Sequence, residues 1–234
     1  MYIFNPICRN LRKIVIAIDG PAASGKSTTA RLVAERLGYL HIDTGAMYRV
    51  VTLRVLEEGI PLNNIERIGP LAEALTIRFE REGGANRVFV DNRDVTREIR
   101  SSKVTQSVSV VSSYPRVRGI LVREQRRIAE GGGVVLEGRD IGTVVLPNAE
   151  LKIFMVAQVA ERVKRRKSEL EEVGVSVDTA TLEVEILERD RLDSTREASP
   201  LRKASGAIEV DTSSMTIEQQ VQFVVDKAKE IIGD

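Results

Sequence analysis

The sequence predicts an α/β fold, a five-stranded parallel sheet with helices on both faces and a small antiparallel meander inserted into it. Three observations predict it. Short apolar runs at residues 14–18, 39–42, 134–137, 151–156 and 207–210 recur along the chain, and the first has no alternation, the mark of a strand covered on both faces. Segments with apolar residues at i, i+3, i+4 and i+7 separate them, as crossover helices would. Residues 76–80 and 87–90 do alternate, and Gly83-Gly84-Ala85-Asn86 lies between them, so this hairpin stands apart from the main sheet. A chain of 234 residues that is 42% hydrophobic has room for one such domain with an appendage.

The first strand leads directly into Gly20-Pro21-Ala22-Ala23-Ser24-Gly25-Lys26-Ser27-Thr28, a Gly-x-x-x-x-Gly-Lys-Ser loop with a helical pattern behind it. The glycines let the backbone wrap until successive N–H groups point inward, and with the helix N-terminus they make an anion cradle for nucleotide phosphates. In such a loop Lys26 reaches the β- and γ-phosphates and Ser27 faces Mg²⁺. Ala30, Val33, Ala34 and Leu37 then form the apolar stripe of a helix that Gly38 stops. His41, the lone histidine, sits in the second strand with no acid or nucleophile near it in sequence, and it reads as structural.

Asp43-Thr44-Gly45-Ala46-Met47-Tyr48-Arg49 follows the carboxyl end of that strand, where open α/β sheets bind ligands. Thr44, Tyr48 and Arg49 together suit a polar, anionic substrate. Met47, Val50, Val51 and Val55 continue a helix up to Gly59-Ile60-Pro61, and a short helix over 63–75 precedes the meander. Val104, Val108 and Val111 mark a helix over 101–113, and Pro115 opens the next one, whose Arg116, Arg118, Arg123, Arg126 and Arg127 read mostly as a solvated face. The third strand ends in Glu137, placed to assist Mg²⁺, and Gly138-Arg139-Asp140 projects towards the same crevice.

After the fourth strand, Arg162, Lys164, Arg165, Arg166 and Lys167 make a basic helix that could close over phosphates or simply face solvent. A helix over 180–193, with Leu182, Ile186 and Leu187 apolar, ends in Arg189-Asp190-Arg191-Leu192-Asp193-Ser194-Thr195-Arg196. Thr216-Ile217-Glu218-Gln219 is a capping box that opens the last helix.

Composition removes several classes of function. A net charge of +1 argues against holding nucleic acid by bulk electrostatics. No apolar run approaches the ~20 residues of a membrane span, and Cys8 alone cannot form an intramolecular disulfide, so a cytoplasmic protein without membrane partners is expected. Residues 1–13 lack a signal-peptide pattern and are read as an N-terminal extension to a domain spanning 14–234.

Through these loops the chain resembles the bacterial cytidylate kinases, P-loop nucleoside monophosphate kinases. The phosphate loop is shared by many NTPases, but Asp43-Thr44-Gly45-Ala46-Met47-Tyr48-Arg49, Tyr114-Pro115-Arg116-Val117-Arg118, Gly138-Arg139-Asp140-Ile141-Gly142-Thr143-Val144-Val145 and Arg189-Asp190 with Asp193 and Arg196 are together specific to that family. The resemblance implies ATP as donor with Mg²⁺ and CMP or dCMP as acceptor; a monomer is expected. It implies that Ser109, Arg118 and Asp140 address the cytosine, Arg189 and Asp193 the sugar with Tyr48 nearby, and Arg49, Arg139 and Arg196 the acceptor phosphate. Arg162, Arg165 and Arg166 align with lid arginines, although Gln158-Val159-Ala160 replaces the usual Ser-rich opening of that helix. Residues 62–98 correspond to the inserted monophosphate-binding subdomain and 157–176 to the lid. A nucleotide switch would also carry the phosphate loop, but it has no need of three further Arg-bearing loops at strand ends.

Overall fold

A computed structural model describes residues 12–82, 85–172 and 174–233. Most of the N-terminal extension and the Gly83-Gly84 turn lie outside the described residues. Five parallel strands, β1 (Val15–Asp19), β2 (Leu40–Asp43), β6 (Val134–Gly138), β7 (Leu151–Val156) and β8 (Ile208–Asp211), form a sheet in the order β2-β6-β1-β7-β8. Helices α1 (Lys26–Leu37) and α8 (Ile217–Ile232) cover one face. There Ile14, Ile16 and Ile18 meet Ala30, Val33 and Ala34 from α1 and Val221, Val224 and Ala228 from α8. The other face buries Ala17, Ile42 and Leu136 under Val122 and Ala129 of α5 (Pro115–Ala129). Because β1 is covered on both sides it needs no polar alternation, and each fully buried isoleucine contributes roughly 1.5–3 kcal/mol.

A second core lies beside the sheet. Helix α2 (Thr44–Glu57) is wedged between β6 and a unit made of α3 (Ile65–Ala74), α4 (Ser102–Ser113), α5 and the antiparallel strands β3 (Ile77–Glu82), β4 (Ala85–Val90) and β5 (Arg93–Asp94). Its Met47, Val50, Val51 and Val55 are accordingly buried on several sides, against Ile68, Ile77, Val88, Val90, Val104 and Val111. The meander is thus a separate sheet, as its alternation predicts, but its inner face is part of a core shared with four helices. Helices α6 (Val159–Glu172) and α7 (Thr179–Thr195) form a hairpin with a small core of Val163, Leu182 and Ile186. Leu187 is half-exposed instead of joining that core, because it stands one residue past the i, i+4 pair that faces α6.

Local chemistry sets the ends of these elements. The Asp43 carboxylate accepts from Ala46 N–H at 3.1 Å, so α2 begins at Thr44, earlier than its apolar stripe indicates. Thr216 and Gln219 form the reciprocal capping box expected of them. Beyond β6 the chain makes one wide turn, Ile141–Val145, instead of a regular helix. Asp19 at the end of β1 accepts from Ile141 and Gly142 N–H at 2.8 Å each, while Arg126 donates to the carbonyls of Val144 and Val145. Arg126, although exposed, is therefore also a brace. No helix among the described residues is long and apolar enough to cross a membrane.

Candidate active site

The parallel register brings the carboxyl ends of β1, β2 and β6 together, with Asp43 opposite Glu137 and Asp19 opposite Gly138. Between β1 and α1 the phosphate loop packs tightly. A Cβ on Gly20 would lie 2.3 Å from the Met155 carbonyl oxygen, and Gly25 takes φ +91°, so neither position accepts a side chain without rearrangement. Thr212, buried at the end of β8, donates to the Ser24 carbonyl at 2.9 Å and accepts from Arg165 Nη1 at 3.0 Å. It therefore ties the loop to α6. A cavity of about 530 Å³ opens between the loop, α6 and the start of α8, lined by Ala23, Gly25, Thr28, Arg165, Ser213 and Thr216 among others.

Lys26 is only 7% exposed and donates from Nζ to the Pro21 carbonyl at 3.0 Å. Burial, and then the Arg139 charge, push its pKa down to about 7, against a smaller opposing pull from Glu137. The fold thus closes over this lysine instead of leaving it open to solvent. Next to it, Ser27 Oγ donates to Glu137 Oε2 at 2.5 Å, and His41 Nε2 meets Glu137 Oε1 at 3.0 Å. Burial works against ionisation of Glu137, but the bond to His41, the nearby charges and the Ser27 bond outweigh it and hold the carboxyl below its ordinary pKa. His41 thus has an acid partner. Parity in parallel strands is the signal that finds it, since His41 lies opposite Val135, one pleat before Glu137 and on the same face.

The arginine-bearing loops converge across the crevice. Arg118, 4% exposed on α5, is ion-paired to Asp140 Oδ2, donates to the Ser112 carbonyl at 3.2 Å, and stacks 5.4 Å from the Tyr48 ring. Burial pushes the Tyr48 hydroxyl up to about 12, so it stays protonated. Arg196 Nη2 lies 3.6 Å from Asp140 and its Nη1 3.9 Å from Asp193, while Arg139 Nε donates to Asp193 Oδ2 at 2.6 Å. Burial raises the proton affinity of Asp193, but Arg139 and its hydrogen bond, followed by Arg189 and Arg196, more than offset this and keep it ionised.

Arg189 makes no hydrogen bond or close ion pair with a described residue. Burial, then the charges of Arg139 and Arg49, lower it to about 10, and Arg49 falls to about 10 chiefly through burial. Arg49 donates to the Ile99 carbonyl and to Thr105 Oγ1 at 3.2 and 2.9 Å. Arg166 contributes to the field on both arginines while bonding Glu169 on its own helix.

Two expected residues stand apart from that cluster. Thr44 spends its hydroxyl on the Glu137 carbonyl at 2.7 Å, and Ser109, half-buried on α4, has no side-chain bond to Arg118 or Asp140. Arg162 is buried, donating to the Ala22 carbonyl at 3.3 Å and pairing with Asp190 at 2.6 Å. Sequence reading finds Arg162 but gives Asp190 and Thr212 no role. Thr212 stands at a strand's carboxyl end, which is the signal that marks it.

Residues 16–230 match the family model described as cytidylate kinase. A cytidylate kinase from Streptococcus suis is 52% identical over 223 residues, covering 95% of this chain and 99% of that protein. One from Geobacillus thermodenitrificans is 49% identical over 222 residues, and one from Bacillus pumilus 47% over 220, with 95% and 94% of this chain and 99% and 98% of theirs covered. With residues 16–230 matched by the family model and 95% of its length covered by a relative at 52% identity, the chain belongs to the cytidylate kinase family.

Proposed function

We propose that this chain transfers the γ-phosphoryl group of ATP to CMP or dCMP, giving ADP and CDP or dCDP, as a monomer in the cytoplasm. The observation that carries the reading is Arg139. It stands close enough to Lys26 to depress its pKa, and it also bonds Asp193, so it links the phosphate cradle to the arginine-rich side. Phosphoryl transfer is mainly positioning plus neutralisation of charge, and the acceptor is already a phosphate oxygen nucleophile, so no strong general base is required.

The loop of residues 20–28 holds the donor phosphates, with Lys26 at the β- and γ-positions. Arg49, Arg139 and Arg196 hold the acceptor phosphate. Arg189 and Asp193 address the sugar, with Thr44 and Tyr48 shaping its site. Ser109, Arg118 and Asp140 read the base, since a carboxylate accepts from the cytosine N4 amino group and a guanidinium donates to N3 and O2. Uracil reverses the first two of these, which leaves buried groups unpaired at roughly 1–3 kcal/mol each. Residues 62–98 act as the monophosphate-binding subdomain and 157–176 as the lid, from which Arg162, Arg165 and Arg166 reach over the phosphates and exclude water.

The residues present also fit Mg²⁺. Ser27 and Glu137 offer two hard oxygen donors 2.5 Å apart beside the cradle. No group of three or more His, Cys, Asp or Glu side chains among the described residues makes a cage, which suits an ion that keeps its waters and leans on substrate phosphates. When bound it would neutralise charge on the β- and γ-phosphates. The test is ADP release measured with CMP, dCMP, UMP and AMP. CMP and dCMP should exceed the other two by about a hundredfold or more in kcat/KM, and equal use of UMP or AMP would overturn the base assignment.

A further inference from the structure

We infer that His41 is a positioning residue for the Glu137 carboxylate, holding one oxygen so that the other is presented beside the Ser27 hydroxyl. The inference rests on the reading of Ser27 and Glu137 as the Mg²⁺-facing pair. Glu137 is 1% exposed, and its two oxygens have different partners: Oε2 takes the Ser27 hydroxyl at 2.5 Å, and Oε1 meets His41 Nε2 at 3.0 Å. An ionised carboxylate only accepts, so the bond fixes the proton on Nε2 of the histidine.

Among the described residues no Arg or Lys forms an ion pair with Glu137. Lys26 acts on it only through the field. Without His41, Oε1 would be a buried acceptor left unpaired, and the carboxylate, held by Ser27 alone, could turn about its last side-chain bond without breaking a second hydrogen bond. The ring itself is held by the sheet. Leu40 through Asp43 pair in register with Val134 through Glu137, so the β2 backbone sets the distance from His41 to Glu137. Outer partners of this kind aim a ligating group without touching the ion, and their loss typically costs 10–100-fold in metal affinity.

The test measures binding without turnover. The affinity of the full-length protein for a fluorescent ADP analogue is followed as Mg²⁺ is raised from an EDTA baseline, in the parent, His41→Leu, His41→Asn, His41→Gln and Glu137→Gln. Leu removes the donor, Asn has a donor too short to reach, and Gln can place an amide N–H near the position of Nε2. His41→Leu and His41→Asn should keep the EDTA affinity within about twofold and raise the Mg²⁺ midpoint about tenfold, with His41→Gln close to the parent. If His41→Leu does not fold, the contrast between Asn and Gln carries the test. Midpoints equal to the parent's in Asn and Leu, whatever their melting temperatures, overturn the positioning role. Glu137→Gln separates the two levels of the inference. A raised midpoint there with an unmoved one in the His41 variants refutes His41 alone, whereas an unmoved midpoint in Glu137→Gln refutes the metal-facing pair on which it rests.

Discussion

On the proposed donor side of the crevice Lys26 is buried at the start of α1, bonded to a carbonyl, with no carboxylate among the described residues in an ion pair with it. On the proposed acceptor side Arg118, Arg139 and Arg196 each lie against a carboxylate, and Asp140 and Asp193 are each shared by two of them. The lysine sits near neutral pH and can drop its proton, while arginine stays charged even where burial lowers it to about 10. The same requirement, positive charge facing phosphate, is therefore met in two ways. Near neutral pH the donor side carries only part of its charge until an anion arrives. The acceptor side keeps it permanently and holds it in place with acids that a nucleotide must share. Substitutions on the donor side should then change turnover with little effect on folding, whereas those on the acceptor side should change selectivity and stability together.

The largest expected effect breaks the donor side. Lys26→Met keeps the buried stem and removes the amine, and turnover should fall by about a hundredfold or more. Its melting temperature should equal or exceed the parent's, because a desolvated amine is no asset to the free fold. Turnover within a few-fold of the parent in folded protein would take Lys26 out of the mechanism. A smaller effect sharpens the acceptor side. Asp140→Asn leaves the buried Arg118 with a neutral partner, and its amide can accept from cytosine N4 or donate to uracil O4. The ratio of kcat/KM for CMP over UMP should fall roughly tenfold or more, and stability by about 1–3 kcal/mol, in kinetic and denaturant measurements made side by side. A lower stability with an unchanged ratio would reduce the Arg118 and Asp140 pair to a brace.

The two sides also differ in how much of them the sequence makes legible. The phosphate loop, the buried β1 and the Thr216 capping box are local patterns, and each forms where its residues place it. What a local pattern does not carry is depth. Lys26 owes its low pKa first to burial and then to Arg139, which arrives from the far end of β6. Arg126 looks like one more charge on a basic helix until the wide turn at Ile141–Val145 offers it two carbonyls. His41 reads as isolated because its acid partner comes from another strand, and only the parallel register places Glu137 beside it. Of the arginine loops only Arg118 and Asp140 are legible as partners; the acids that Arg139 and Arg196 meet are not. Which acid each arginine meets depends on how α5, α7 and the turn after β6 pack.

Proton uptake tests the contrast between the two sides most directly. In the free fold Lys26 has its pKa lowered from the ordinary lysine value of 10.5 to about 7, so between those values the unfolded chain binds the extra proton. Through Lys26, ligand-free stability therefore rises with pH across that window, and a phosphate that restores the charge must draw a proton from solution. Calorimetric titration of a non-hydrolysable ATP analogue at pH 8, in two buffers of different ionisation enthalpy, reads that proton. The account predicts uptake approaching one proton per ATP analogue bound, an affinity that weakens by up to about tenfold per pH unit above 7, little uptake with CMP, and none with the analogue in Lys26→Met. Binding of the analogue to the parent without proton uptake at pH 8 would mean that Lys26 is already charged in the free protein, and would contradict the account.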